Sequence, residues 1–241
     1  INGAQNLDTT TGSGAVAVQG VIGGTTALAT LDINQAAGAT GTIELTDIGT
    51  AGGAATGVTG ISRIGNANTA TLTLDGTNYR FNGATTFTAA AGENIDLTGG
   101  AATTFTTSAD NITFATATVE LGNGSDLTVN TANGNVSFVS IMGTSSEDVT
   151  INAGTGTVAV GDIGTADEIN TVAITGSTIT LNGDITTSNV AGNTVTFTGA
   201  VALGAAVTID TDNAANDGAV SFSSTINGAQ DLDITSGSAA V

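Results

Sequence analysis

The side chains best equipped for chemistry in this chain are carboxylates. The densest group lies in the run Asp210-Thr211-Asp212-Asn213-Ala214-Ala215-Asn216-Asp217-Gly218. Aspartates interleaved with asparagines put oxygen donors at spacings a hard cation uses, and Ca²⁺ takes about six to eight such ligands. Asp210, Asp212 and Asp217 are therefore the candidate metal ligands, and calcium is the candidate cofactor. The run lacks the glutamate that ends an EF-hand loop and the GGxGxD nonapeptide of calcium-binding β-rolls. A solvated, turn-forming Asx cluster accounts for it better, and the same holds for Glu147-Asp148 and for the stretch from Asp162 to Glu168. Carboxylate pairs also hydrolyse glycosides. Here, however, most aspartates are scattered singly, there is no lysine, and 7 Phe and 1 Tyr are all the aromatics available to hold a sugar. The expectation is a protein that is not an enzyme.

Thr-x-Thr elements are a second kind of ordered chemistry, because flat arrays of threonine hydroxyls can bind ice. They occur at Thr71/Thr73, Thr116/Thr118, Thr178/Thr180 and Thr194/Thr196/Thr198, and the steps from Thr71 to Thr116, Thr178 and Thr194 are all unequal. No single structural period joins them, so the ordinary preference of threonine for strands explains them better.

The rest of the inventory is mainly exclusion. The 241 residues contain no His, no Cys and no Pro, and 2 Lys+Arg stand against 21 Asp+Glu for a net charge of −19. Zinc sites of His or Cys, Cys or Ser/His nucleophiles, Schiff-base lysines and phosphate-loop lysines are all ruled out. Two arginines cannot build a nucleic-acid surface. No apolar run approaches the ~18–20 residues of a membrane span. The start shows neither an initiator Met nor a basic leader, which suits an internal window of a longer, exported protein.

The elements that must carry these side chains are short strands. Apolar residues alternate at Leu127/Val129, Val136/Phe138, Val149/Ile151, Val158/Val160, Val172/Ile174 and Ile179/Leu181, as strands with one buried face require. From Leu127 to Val149 is 22 residues, as is Val136 to Val158, and Val119, Ile141, Ile163, Ile185 and Val207 advance by 22 at every step. Three apolar strands per 22 residues predict a coil with three faces. Asn-Gly and Gly-rich clusters between them, such as Asn133-Gly134 and Gly154-Thr155-Gly156, turn the chain at low cost. Asn-Gly also suits an antiparallel hairpin, but the sustained period favours the coil. An array of antiparallel sandwiches would show a far longer unit and a Trp or Cys core signature.

The fold class expected is thus all-β: a right-handed parallel β-solenoid with about 22 residues and three strands per coil. Phe105, Phe114, Phe138, Phe197 and Phe222 fall at strand positions and should stack inside it. The ends repeat: INGAQNLDTTTGSGAV (1–16) matches INGAQDLDITSGSAAV (226–241) at 12 of 16 positions, so that Ile1 recurs as Ile226. The chain is read as one continuous segment over 1–241, one long repeat (1–225) plus the start of the next (226–241). That repeat is about ten coils, roughly 50 Å of axis. The stretch 50–92, which holds both arginines and the tyrosine, has a poorer register and is expected to be an irregular coil or loop.

The phrases VIGGTTALATLDI (21–33), ITLNGDITTS (179–188), VTFTGAVALGAAVTIDTD (195–212) and STINGAQDLDITSGSAAV (224–241) resemble the β-strand repeats of filamentous-haemagglutinin-like giant surface proteins of Gram-negative bacteria. The resemblance implies an exported adhesin or fibre. The function expected is a structural or adhesive segment of a long extracellular or cell-surface repeat protein. Its partners would be further copies of itself, end to end or side by side, and an unspecified surface or glycan, with no nucleic acid and no membrane insertion. The alternatives are a calcium-dependent surface-layer or matrix module and, further off, a solenoid enzyme acting on carbohydrate.

Overall fold

The computed structural model describes residues 1–53, 55–213 and 216–241. Ala54 of the 50–92 stretch and Ala214-Ala215 of the acidic run lie outside the described residues. Alternating apolar residues and frequent turns give short strands and no helix among the described residues. Every strand pairing but one among them is parallel and joins a strand to its counterpart one coil further on. The chain winds as a β-solenoid with three faces.

The first face runs through Asn6–Thr9, Thr30–Ile33, Ser62–Ile64 and Thr85–Thr88, and ends at Ile226–Asn227. The second begins at Val16–Val18 and Ile43–Leu45 and ends at Val207–Asp210 and Leu232–Thr235. The third stacks Asn78–Arg80, Thr103–Thr106, Leu127–Asn130 and Asp148–Asn152, and ends at Val220–Phe222. Long strands bend around corners. Ile112–Leu121 passes from first face to second through Thr116 (φ 67), and Val195–Leu203 from third to first through Gly199 (φ 134).

On the first face, Leu7, Leu31, Ser62, Thr85, Ile112, Val136, Val158, Ile179, Val201 and Ile226 succeed one another in register. Leu7 and Ile226 are nine coils apart, so the average coil is longer than the step from Val119 to Ile141. It comes to roughly 24 residues per turn, within the usual range of about 20–45 for a solenoid unit. The shorter period holds over the middle coils, where Val119, Ile141, Ile163 and Ile185 are direct neighbours. The next step is longer, because Ile185 pairs with Ile209 and Val207 pairs with Leu232. Two extra residues in the turn after Leu203 account for it. A slip of two leaves every side chain on its own face, so the core tolerates it.

Larger coils come earlier. Ile48 and Val58 both join the third face, as neighbours of Tyr79 and Phe81, so the segment between them loops out and lengthens that coil. The stretch 50–92 otherwise carries four strands in register, including those of Arg63 and Arg80.

The core is a stack of columns. Most inward-facing aliphatic side chains from Leu31 to Val220 are almost wholly buried, while Ile61, Val139 and Val190 are exposed. The aromatics fill the axis, with Phe114 stacked on Phe87 at 5.1 Å and on Phe138 at 4.4 Å, Tyr79 on Phe105 at 4.9 Å, and Phe197 on Phe222 at 5.1 Å. Such offset pairs add to the burial of area itself.

Candidate functional site

The acidic run forms the one antiparallel pairing among the described residues, a two-residue ribbon of Asp212–Asn213 against Asn216–Asp217. Its root is fixed by Thr211, a buried residue whose hydroxyl donates to Gly218 O at 2.5 Å and whose N–H donates to Thr235 O at 2.8 Å. Asp212 stands opposite Asp217. Asp210 ends the preceding strand and accepts the Asp212 N–H at 3.1 Å.

The carboxylates of this pair behave differently. Asp217 accepts the Ser238 N–H at 2.7 Å and also its hydroxyl, and those two bonds hold its pKa below the ordinary aspartate value. Asp212 is pushed up, first by lost hydration and then by the charge of Asp217, the hydrogen bond between them and the charge of Asp210. Asp217 is thus engaged in joining the final segment of the chain to the coil beneath. Among the described residues no group of three or more acidic side chains is arranged to hold a metal ion.

Other acids and amides perform a task that reading them singly does not reveal. At the corners the backbone ladder breaks, and a side-chain oxygen accepts the N–H of the next coil instead. Asp126 accepts from Asp148 N at 2.9 Å, and Asp148 in turn accepts from Asn170 Nδ2 at 2.9 Å, Thr171 N at 3.1 Å and Thr171 Oγ1 at 2.7 Å. Asp162 accepts from Asp184 N, and Asp184 from Thr208 N. Asn111, Asn135 and Thr157 repeat the arrangement. The signal was available, since Asp126/Asp148 and Asp162/Asp184 are each spaced by one 22-residue coil.

Glu147 is the most buried acid, 1% exposed. Burial raises its pKa, but bonds from the Ser145 hydroxyl (2.7 Å) and N–H (2.9 Å) and from the Thr144 N–H (2.9 Å) outweigh this, and the net shift is downward. It clamps a turn. A shallow hollow of about 290 Å³ lies beside it, lined by Thr144, Ser145, Ala166, Asp167 and Glu168.

The outward positions differ in charge from one stretch of a face to another. On the second face Glu44, Thr73, Asp96 and Glu120 stand in register on successive coils. The Asp96 carboxyl is pushed up by burial, then by Glu120 and Glu93. On the third face, above Asn78/Arg80, the outward pairs Thr104/Thr106, Thr128/Asn130, Thr150/Asn152, Ala173/Thr175 and Thr196/Thr198 succeed one another, with Asp148 beside them at the start of its strand. All ten residues of this array are uncharged and at least partly exposed. Of the Thr-x-Thr elements singled out above, Thr196/Thr198 belongs here while Thr178/Thr180 lies on the first face, and Thr104/Thr106 is a further such element in the array. A search for Thr-x-Thr meets only the two ends of the array, because asparagine and alanine take positions between them.

The chain matches no protein-family model, no curated protein and no solved structure.

Proposed function

We propose that this chain is a structural segment of a long extracellular fibre or surface filament, with the uncharged Thr/Asn array of its third face, which Arg80 and Asp148 flank, as the surface for adhesive or lateral contact. The observation that carries the reading is the use made of the acids: at the corners their oxygens bond one coil to the next, so polar groups are spent on axial continuity. A solenoid has no closed end, and its terminal coil offers free ladder groups to a matching coil. The resemblance of its strand phrases to filamentous-haemagglutinin-like repeats supports export and a place at the cell surface. Contact through the array from Thr104 to Thr198 is favoured on physical grounds, since covering its Thr, Asn and Ala removes no ionised group from water, whereas covering the second face would bury Glu44, Asp96 and Glu120.

Negative-stain electron microscopy of the concentrated protein tests this. Filaments or rafts of parallel rods are expected, and charges placed on the third face by Thr128→Glu and Thr150→Glu should disperse the rafts. Compact single particles at every concentration would refute the reading.

A further inference from the structure

The two copies of the sixteen-residue segment fold alike but stand on different faces. In each, a strand leads into a turn held by the same bonds. Thr11 Oγ1 donates to Gly14 O at 2.5 Å and Gly14 N to Thr11 O at 3.1 Å; Ser236 Oγ donates to Ala239 O at 3.2 Å and Ala239 N to Ser236 O at 2.9 Å. Gly12 and Gly237 have φ of 65 and 55, and Leu7 and Leu232 both point inward from strands of the same alternation. Local structure therefore follows local sequence.

Position does not. Asn6–Thr9 pairs with Thr30–Ile33 and heads the first face, whereas Leu232–Thr235 pairs with Val207–Asp210 and lies on the second. The first face is already occupied at that level by Ile226–Asn227, nine coils above Asn6–Thr9. From Leu7 to its counterpart Leu232 the chain has therefore made nine coils and one further face, a third of a turn.

We infer that each copy of this long repeat is seated on the one before it with a rotation of one face. Ile226–Val241 shows the seat filled. Its receptor is the top of the ninth coil: Val207 and Ile209 beneath Leu232 and Ile234, Thr211 N on Thr235 O, Val220 N on Ala240 O, and Asp217 on Ser238. Most of these contacts are backbone, and the serine is kept in the first copy as Ser13, so the seat accepts the start of any copy. The acidic second face and the Thr/Asn array of the third face of one copy then continue, in the next, on the third and the first. Three copies bring every feature back to its starting side, and all three sides are served in turn. This rotation follows from strand register inside one chain and is independent of the fibre reading.

Paired cysteines in this otherwise Cys-free chain test it, because neighbouring parallel strands lie about 4.8 Å apart, within the span a disulfide bridges. Asp233 pairs with Thr208 on the second face. Were the copy on the first face, Asp233 would instead take the place of Asn227 beside Ala202. Thr208→Cys/Asp233→Cys should lose both free thiols under mild oxidation, as should the control pair Ser137→Cys/Ala159→Cys on adjacent first-face strands. Ala202→Cys/Asp233→Cys should keep both. Closure of the Ala202 pair in place of the Thr208 pair overturns the inference. So does closure of the control alone, since the final segment would then be unseated.

Discussion

Two acids show how burial and partners pull a carboxylate in opposite directions. Glu147 is held below its ordinary value of 4.5 by the bonds of its turn. It therefore adds stability that is fully present above that value and is lost as pH falls through the folded pKa. Glu147→Ala should cost about 1–2 kcal/mol at neutral pH, the worth of the bonds it removes. The same variant should flatten the acid limb of a pH–stability curve. Asp96 is the reverse case, raised above its ordinary 3.8 by burial and by the neighbouring Glu120. Its charge opposes folding at neutral pH, and that opposition is relieved as pH falls through the raised pKa. Asp96→Asn should raise the melting temperature at pH 7 and leave it nearly unchanged at pH 3. Melting curves of both variants at the two pH values check these signs.

Corners decide whether strands keep their faces. At Gly199 an added Cβ would lie 1.8 Å from Gly176 O, on a backbone with φ 134, so Gly199→Ala strains the turn between third and first faces. The backbone term alone is on the order of 1–3 kcal/mol, and the overlap adds to it; a melting temperature lower by roughly 5–10 °C is expected. Gly38→Ala is the control, since nothing lies within 4 Å of its added Cβ, and it should be neutral or slightly stabilising. The trypsin sites also belong to elements. Arg63 lies on a strand with both its Nε and Nη2 on Asp32 at 2.8 and 2.6 Å, and Arg80 lies on Asn78–Arg80. The native chain should resist trypsin at both, as a mass-resolved digestion time course would show. Rapid cutting at either would mean that its coil opens locally.

For the whole molecule, 19 units of net negative charge must be carried by a narrow rod. Self-repulsion of this kind is screened by salt, so the melting temperature should rise with added NaCl. Since no acidic triad is arranged for a metal among the described residues, CaCl₂ at matched ionic strength should give the same rise. A larger rise with calcium, abolished by Asp212→Asn, would assign a specific ion to Asp210, Asp212 and Asp217. In material containing several copies, nine and a third coils per copy correspond to about 45 Å of axis, and a full turn of copies to about 135 Å. Fibre diffraction should index on the longer spacing, with meridional intensity on every third layer line.

Alternation of apolar residues and the step from Val119 to Ile185 are enough, read from sequence alone, to give the parallel solenoid, its three faces and its internal aromatic stack. These follow because a period of two sets which side chains are buried and a constant step sets which strands are neighbours. The sequence likewise shows that the opening segment, Ile1 to Val16, returns at Ile226. What it leaves open is where loops add to a coil, because insertions such as the one between Ile48 and Val58 cost the core nothing and leave no trace in the alternation. Only the summed lengths of all the coils reveal that the long repeat ends a third of a turn out of phase. The 22-residue spacing of Asp126/Asp148 and of Asp162/Asp184 is legible in the sequence, but the array from Thr104 to Thr198 is a relation between coils of unequal length, and the tertiary winding decides which of its residues are neighbours.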